Sequence, residues 1–421
     1  MIVQILRINC LFFFFMAVIV MNGWADEPNL SIRDVLTVAY QNNPEVIEAR
    51  KNINIQQARH KQSRKLANPE IEADLDKIVQ DFTGENTSDP ELFEGELRFN
   101  QPLELWGKRD LKVHIAKDEI TQAELTLNNI WLEISKQIKE QYAETLLAQK
   151  SIALAEENLN IARRLLDQVR VRFDSGKARN HELVRTKLEA ANARNGLLKA
   201  ENDFQIALGK LNILMGRRMS ESIKLQDTLT PTVMKADLES YLQMALSKRP
   251  DVLGQEVEIQ KKTKELSMAK RLKLPDATVG VFANREDQMY NAGAGLSFTL
   301  PIWTQFQGEV KAADLQKQTA EIHLDALKRS AELEVYTAFN NVNLAFQTVH
   351  NLEDSIKEAN ELLRIITIEY DEGEALFLTY LEGIASYQKT KQEYFVALTD
   401  YSHKLADLDQ AIGLIENTEE K

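Results

Sequence analysis

The sequence predicts a mainly α-helical chain with a smaller β component, organised as two copies of one unit. Long stretches without helix breakers are the first observation, because residues 108–175 and 309–372 contain no Gly or Pro over 68 and 64 positions. At about 1.5 Å of rise per residue, each stretch can form one helix of roughly 100 Å, far longer than the helices of ordinary globular domains. An internal repeat and strand-like segments before each long stretch are the other two observations.

The first 25 residues predict a secretory signal peptide. Arg7 precedes an apolar run at residues 10–21, and small residues at positions 23 and 25 form a cleavage pattern. Cleavage after Ala25 removes one positive charge, so a formal net charge of −13 becomes −14. We expect an exported, acidic chain with no nucleic-acid partner. Cys10, the only cysteine in the sequence, lies in the signal, so the mature chain is expected to have no thiol, disulfide or N-terminal lipid.

The repeat has an offset near 200 residues. Residues 39–46 (AYQNNPEV) are echoed by residues 245–252 (ALSKRPDV), and Gly176 is echoed by Gly373. Each copy reads as a short helix that stops before Pro, a second helix, two strands, a long helix, a glycine turn and a returning helix. Such self-similarity at a fixed offset indicates a duplicated structural unit.

The duplication divides the chain into five segments. These are a signal peptide (1–25), a first repeat (26–216), a polar, equatorial connector (217–236), a second repeat (237–413) and a C-terminal tail (414–421). In the first repeat we predict strands at about 69–82 and 92–102 and long helices at 104–173 and 178–215. In the second repeat we predict strands at about 275–285 and 292–302 and long helices at 307–371 and 376–412.

The long helices carry the pattern of a coiled coil. Ile120, Ala123, Leu127, Ile130 and Ile134 recur at alternating steps of three and four, and the same spacing returns near residues 159–173. The positions between are mostly charged or amide side chains. The helices are therefore expected to pack side by side with a water-facing side, and a simple coiled-coil spacer remains one interpretation.

The predicted strands alternate between apolar and polar residues. Ile71, Ala73 and Leu75 alternate with carboxylates, and residues 292–300 set Ala, Leu and Phe against Gly, Ser and Thr. Alternation over about 10 residues is typical of a strand with lipid on one face and water on the other. Trp106, Trp303 and Phe306 follow the strand ends, where interfacial aromatic residues fall. A sheet packed on helices in a soluble protein is the alternative.

An exported chain without an apolar run long enough for a membrane-spanning helix is expected to be soluble or inserted as a barrel. Four strands cannot close a barrel around a channel, and open sheet edges are not tolerated in lipid. Four strands from each of three chains would supply 12.

Four short motifs, in this order behind a signal peptide, carry a resemblance. Residues 99–105 (FNQPLEL) and 298–303 (FTLPIW) join strand to helix, and residues 173–176 (FDSG) and 370–373 (YDEG) form the turns. Together they resemble the TolC family of outer-membrane efflux proteins over nearly all of the mature chain. Residues 101–109 (QPLELWGKR) further resemble the CzcC-like branch of that family, which is associated with heavy-metal efflux.

The resemblance implies a homotrimer with four strands per chain in a 12-stranded transmembrane β-barrel, set in outer-membrane lipid and continued by a periplasmic α-helical coiled-coil barrel. It implies a periplasmic adaptor (a membrane fusion protein) and an inner-membrane pump of the resistance-nodulation-division type. The expected function is a passive exit duct, here for heavy-metal cations. Multidrug efflux, type I secretion and a non-pore periplasmic coiled-coil scaffold are the alternatives.

No residues suggest reaction chemistry. The sequence has no nucleophile elbow and no phosphate-binding loop, and its six His residues lack the partners of metal motifs. We therefore expect neither enzymatic activity nor a cofactor or resident metal ion.

Three sets of residues are the candidate functional sites. Carboxylates that alternate along the first hairpin would line the lumen and favour cations: Glu70, Glu72, Asp74, Asp76, Glu94 and Glu96. The resemblance implies a periplasmic gate just beyond the tip glycines, where this chain has Glu182, Arg185, Thr379 and Glu382. Thr379 departs from the family's acidic residue. Adaptor contact is expected at the two tip turns: Asp174, Ser175, Gly176, Lys177 and Ala178, with Asp371, Glu372, Gly373, Glu374 and Ala375.

Overall fold

The computed structural model describes residues 29–77, 93–231, 237–286 and 289–415. The predicted signal peptide, the end of the first predicted strand with the start of the second, and the last residues of the predicted tail lie outside the described residues.

The described helices occur in the same order twice. In each half, a helix of 11 residues precedes a helix of about 20, a very long helix and a returning helix of 35 residues. The very long helices have 67 and 66 residues, and neither contains Gly or Pro after its first turn. The first half contains α1 (Ile32–Asn42), α2 (Pro44–Ser63), α3 (Lys108–Asp174) and α4 (Asn180–Leu214), and the second contains α5 (Leu238–Lys248), α6 (Pro250–Arg271), α7 (Gln307–Glu372) and α8 (Phe377–Ala411).

The described strands form two sheets. A small parallel pair joins β1 (Asn29–Leu30) to β4 (Lys224–Leu225). The larger sheet is antiparallel and contains four strands in the order β2, β3, β5 and β6. Its strands are β2 (Glu70–Lys77), β3 (Phe93–Leu103), β5 (Ala277–Glu286) and β6 (Met289–Phe298).

The chain packs as two compact units. The helical unit comprises Met1–Ile47, Trp131–Gln243 and Glu334–Lys421, and the sheet unit comprises Glu48–Ile130 and Met244–Leu333. Both very long helices contribute residues to both units. Among the described residues, no helix has the combination of length and apolar character that crossing a membrane requires.

Within the helical unit, the four long helical segments pack in the order α4, α3, α8, α7. Leu165 of α3 and Leu183 of α4 share one buried cluster. The Tyr387 hydroxyl of α8 donates to Glu157 of α3 at 2.9 Å. Phe346 of α7 lies 5.9 Å from the buried Tyr401 ring of α8. Away from the turns, α4 and α7 are therefore the outer helices of this layer, whereas beside the turns α7 also contacts α3.

Within the sheet unit, polar contacts join α6 to both very long helices. Lys264 of α6 binds Asp118 of α3 with a shortest distance of 2.5 Å, and the Gln255 amide of α6 donates to the Ala320 carbonyl of α7 at 2.9 Å. The flanking helix α6 is thereby fixed to both long helices, because each bond specifies one register.

The connector contains an ordered element that the sequence did not reveal. Strand β4 pairs with β1, and Asp227 just after it accepts hydrogen bonds from the Ile32 amide at 2.7 Å and the Tyr142 hydroxyl at 2.8 Å. Burial and the hydrogen bond to Asp227 raise the pKa of Tyr142. One carboxylate therefore joins the start of α1, the connector and the middle of α3.

We predict that Tyr142→Phe lowers the stability of the helical unit by about 1–2 kcal/mol, because it removes one of the two donors that the Asp227 carboxylate has within the fold. Thermal unfolding of the detergent-purified protein, followed by circular dichroism, measures the change. Tyr336→Phe is the matched control, since the Tyr336 side chain is 55% exposed. Equal melting temperatures for the two variants would contradict this role of Tyr142.

Candidate functional site

Four of the carboxylates predicted for the lumen share one face of the four-stranded sheet, and the other two continue the same register. The register pairs Glu72 with Arg98, Asp74 with Glu96 and Asp76 with Glu94 across β2 and β3. Directly opposed residues lie on the same face, and alternate residues of one strand do so as well. Glu70 joins them opposite Asn100. The structure thus brings Glu70, Glu72, Asp74 and Glu96 together on one side of the first hairpin, and the backbone register continues the same alternation to positions 76 and 94.

This acidic face carries a cost in stability. Asp74 stands directly opposite Glu96, and like charges in opposed positions are destabilising. Arg98 is the one cation on this face in the described part of the hairpin, and its guanidinium donates two 2.6 Å hydrogen bonds to Glu96. Because the remaining acids outnumber this arginine, the face stays strongly negative.

The other face of the sheet is apolar and exposed. Ile71 is 69% exposed and Leu296 is 59% exposed. The register places such residues in rows across the sheet, for example Ile71, Phe99 and Val281. A contiguous apolar surface of this kind needs a nonpolar environment or a partner. Exposed members of the face are Ile71, Leu97, Phe99, Val279, Val281, Leu296 and Phe298.

Residues 101–109 (QPLELWGKR) form the junction between β3 and α3, which several hydrogen bonds hold in place. Trp106 has a φ of 61°, which is rare for a non-Gly residue. Its indole N–H donates to the Pro275 carbonyl at 2.7 Å, and its own carbonyl accepts from Arg271 at 2.7 Å. The buried Lys108 ammonium reaches Asp276 at 2.8 Å. The junction of the first repeat is therefore bonded to the start of β5.

Of the other predicted interfacial aromatics, Trp303 is 96% exposed and Phe306 has a φ of 55°.

The two tip turns have the same backbone geometry. Gly176 and Gly373 have φ values of 74° and 86°, which a residue with a side chain rarely adopts. The Lys177 amide donates to the Arg172 carbonyl at 2.7 Å, and the Glu374 amide donates to the Glu369 carbonyl at 2.8 Å. These bonds satisfy the carbonyls left open at a helix end, so each turn reverses the chain within a few residues.

A packed cluster that the sequence did not reveal lies directly behind the turns. The rings of Tyr370 and Tyr380 stack at 4.6 Å and 7°. Arg172 places its guanidinium 4.5 Å from the centre of the Tyr370 ring and donates to the Tyr370 carbonyl at 3.0 Å. Burial raises the pKa of Tyr370, and Arg172 opposes that shift. The ends of α3 and α7 are thus joined side by side.

The four predicted gate residues do not form one cluster in a single chain. Arg185 and Glu382 line the same groove between α3, α4 and α8, which has a volume of about 1330 Å³. Arg185 pairs with Glu189 at 3.0 Å. Glu182 is half-buried near Tyr370, and its charge contributes to raising the pKa of that tyrosine. Thr379 is exposed on α8.

A polar network sets the register of α8 on α3. Glu157 accepts hydrogen bonds from Tyr387 at 2.9 Å and from Lys391 at 2.5 Å. Burial opposes ionisation of Glu157, but these two donors outweigh burial and hold the pKa of Glu157 below its ordinary value. The sequence pattern did not indicate this network, since Glu157 lies more than 200 residues from Tyr387 and Lys391. Within the described ranges, no group of three or more His, Cys, Asp or Glu residues is arranged to hold a metal ion.

The fold is that of solved outer-membrane channels. The crystal structure of the outer membrane protein VceC from Vibrio cholerae superposes with a TM-score of 0.75 at 18% identity, covering 91% of this chain and 96% of VceC. An amphipathic sheet together with paired long helices is thus the architecture that this chain shares with those channels.

The chain belongs to the outer membrane efflux protein family, which residues 35–217 and 241–414 match. It is therefore a protein of the outer membrane with a role in efflux. Among characterised relatives, the cobalt-zinc-cadmium resistance protein CzcC of Cupriavidus metallidurans is 24% identical over 91% of this chain and 90% of its own length. The pyoverdine export outer membrane protein OpmQ of Pseudomonas putida is 22% identical over 76% of this chain and 70% of its own length.

Proposed function

We propose that three copies of this chain form the exit duct of a tripartite efflux system, and that the duct conducts heavy-metal cations passively. The observation that carries the proposal is the four-stranded sheet, which has one acidic face, one exposed apolar face and two outer strands, β2 and β6. In lipid the backbone groups of those outer strands require partners. Three sheets joined edge to edge would supply them in a closed barrel of 12 strands.

The helical unit supports the same assembly. Its outer helices, α4 and α7, carry large apolar side chains on their uncovered sides, including Leu188, Leu198 and Leu344, each more than half exposed. A neighbouring copy that sets its α7 against α4 would bury both rows at once. Repeating that contact three times gives a closed ring of helices, consistent with the heterologous contacts of a cyclic trimer.

A duct of this kind does no chemistry, so its energy comes from its partners. We propose that the tip turns bind a periplasmic adaptor and, through it, an inner-membrane pump of the resistance-nodulation-division type. Groups that would act at the periplasmic end are Arg185 and Glu382 in the groove and Glu182 near Tyr370. Closure in the trimer would bring such charges from neighbouring copies together.

The cargo follows from charge and from similarity. The acidic face of the sheet would place 18 carboxylates in a trimeric barrel, and acidic rings favour cations over anions. CzcC, whose name states resistance to cobalt, zinc and cadmium, matches almost the full length of the chain. Metal export is therefore favoured over export of a siderophore such as that named for OpmQ.

Planar-bilayer recording and a deletion strain test this function together. We expect the purified protein to run as a heat-sensitive trimer and to form ion channels, and we expect deletion to lower tolerance to Zn²⁺, Co²⁺ or Cd²⁺. Complementation with the intact chain is the control. A monomer without conductance would favour the scaffold, and unchanged metal tolerance with impaired export of another compound would favour a different cargo.

A further inference from the structure

A groove at the helical end of the sheet has no part in the duct function described above. It lies within the sheet unit, between the end of α6 and the start of α7, and has a volume of about 580 Å³. Leu266 and Val310 supply its apolar part. We call it the junction groove, because it adjoins the junction between β6 and α7. Its polar lining consists of Lys270, Lys273, Gln305, Gln307, Lys311 and Asp314.

The junction groove lies where the exposed apolar face of the sheet ends. Ala277 at the start of β5 pairs with Phe298 at the end of β6. Lys273 precedes Ala277 by four residues and Gln305 follows Phe298 by seven, so the chain limits their distances from the sheet to about 14 and 25 Å. The groove is therefore close to the boundary between apolar and aqueous surroundings. Exposed apolar side chains occupy the segment between β6 and the groove: Leu300, Ile302 and Trp303.

The groove is positively charged although the chain as a whole is acidic. Residues 270–273 and 305–314 contain four cations and two carboxylates, whereas the sequence has a formal net charge of −13. Asp314 lies 3.5 Å from Lys311 and offsets the charge of that lysine. Glu309, exposed on the first turn of α7, is the second carboxylate of these segments. Two positive charges therefore remain in excess.

Lys270 and Lys273 carry the available part of that charge. Both are exposed, and neither is in an ion pair within the part of the chain that the structure describes. Asp276 is the carboxylate nearest to them along the chain, but it binds the Lys108 ammonium at 2.8 Å. Arg271 between them donates to a carbonyl, so it keeps its charge. The two lysines are thus free to bind an anion from outside the chain.

The first repeat does not reproduce this groove. At the repeat offset of 206 residues, Lys273 corresponds to Ala67, and at the offset of 199 residues, Gln305 corresponds to Trp106. Trp106 is bonded to the Pro275 carbonyl at 2.7 Å. The junction of the first repeat is therefore occupied by contacts within the chain, whereas the second presents lysines and amides to its surroundings.

We propose that the junction groove binds the headgroup of an anionic phospholipid. Lys270 and Lys273 would bind its phosphate as point charges, and the amides of Gln305 and Gln307 would donate to its oxygens. Leu266 and Val310 would lie beneath the start of an acyl chain. The site requires only that the chain is in the outer membrane, so it depends neither on the cargo nor on the number of copies in the assembly.

Position and charge both favour a phospholipid over a free anion. Headgroups occupy a layer of roughly 5–8 Å on each side of the hydrocarbon core, and long lysine side chains extend into that layer from neighbouring positions. Exposed apolar residues lead from the sheet to the groove, which suits an amphipathic ligand. A zwitterionic phospholipid has the same phosphate, but the excess of cations repels its ammonium group.

Native mass spectrometry of the full-length, detergent-purified protein tests the proposal. The protein is titrated with dioleoylphosphatidylglycerol, with dioleoylphosphatidylethanolamine or with inorganic phosphate, and bound ligand is counted per chain. The test variant is Lys270→Gln with Lys273→Gln. Lys270→Arg with Lys273→Arg keeps the charge and should keep binding.

The matched control is Lys51→Gln with Lys248→Gln, which removes the same charge at exposed positions of the sheet unit. Helix α6, with 22 residues and about 33 Å of length, separates Lys248 from Lys273. Lys51 precedes the start of β2 by 19 residues. Thermal unfolding of each variant without added lipid, followed by circular dichroism, shows whether it is folded.

We expect the parent to bind phosphatidylglycerol at least about fivefold more tightly than phosphatidylethanolamine, since each lysine beside an anionic lipid strengthens binding by roughly that factor. The test variant should lose roughly tenfold in affinity for phosphatidylglycerol. The control and the arginine variant should change by less than about twofold, because their charge in the groove is unaltered.

Four results would overturn the proposal. These are equal affinity of the parent for the two lipids, unchanged binding in the test variant, an equal loss in the control, and displacement of phosphatidylglycerol by an equal concentration of inorganic phosphate. The last result would identify a site for free anions. Because lipid is counted per chain, none of these outcomes depends on whether the protein conducts ions, so failure of the lipid site and failure of the duct are distinguishable.

Discussion

Replacing Gly373 by Pro should abolish efflux while leaving the protein in the outer membrane. Gly373 has a φ of 86°, and its amide donates to the Tyr370 carbonyl at 3.2 Å. Proline fixes φ near −65° and has no amide hydrogen, so the substitution removes both the conformation and the bond. The damage should stay local, because an added Cβ at this position meets no atom within 4 Å. We therefore expect Gly373→Pro to lose adaptor binding while the rest of the chain still folds.

Asparagine is the matched control for this prediction. Asn tolerates the left-handed conformation better than other residues with a side chain, so Gly373→Asn and Gly176→Asn should retain most activity. Gly176→Val should impair it, since the strain of a β-branched residue at a φ of 74° costs at least about 1–2 kcal/mol. Metal tolerance and the amount of trimer in outer-membrane fractions are measured side by side. Loss of the trimer in Gly373→Pro would show that the turn serves folding instead.

Neutralising the acidic face should remove the cation preference of the channel. The variant combines Glu72→Gln, Asp74→Asn and Glu96→Gln, which takes nine carboxylates from the proposed trimer. Because acidic rings concentrate cations, the cation-to-anion permeability ratio should fall toward unity in reversal-potential measurements. The trimer should not become less heat-stable, since the substitutions relieve the opposed charges of Asp74 and Glu96.

A substitution at Arg98 is a control that should change cation preference in the opposite direction. Arg98→Gln removes the cation that binds Glu96, so it should raise cation preference where the acid substitutions lower it. An unchanged permeability ratio in both variants would place the selectivity of the channel elsewhere. Reversal of both effects would mean that this face does not line the conducting path.

Much of the fold could be predicted from local sequence patterns. The absence of Gly and Pro across residues 108–175 and 309–372 identified the very long helices, because uninterrupted helix needs no information from distant residues. Alternation in the strands identified which side chains share a face, since the period of two is a property of the strand itself. The tip glycines were recognisable because only Gly adopts their backbone without strain. The order of the motifs along the chain was sufficient to recognise the family.

The candidate sites were only partly recognisable in the same way. Four gate positions were inferred by counting from the tip glycines, yet within one chain only Arg185 and Glu382 line a common groove. The stacked Tyr370 and Tyr380 and the inward-facing Arg172 had no sequence signal beyond being aromatic or basic near a turn. Nothing local distinguishes Arg172 from the exposed Arg170, because helical position alone does not state which neighbour a helix will meet.

By itself, the sequence determined the helix lengths, the duplicated order of elements, the amphipathic strands and membership of the efflux family, because each depends on short local patterns or on the recurrence of such patterns along the chain. Only the tertiary structure decided the pairing of β3 with β5, the bond of Tyr142 to Asp227 and the network of Glu157 with Lys391. Those contacts join residues 85 to 234 positions apart. Their partners are selected by packing and by the need to satisfy buried polar groups, which act through space and leave no spacing to read.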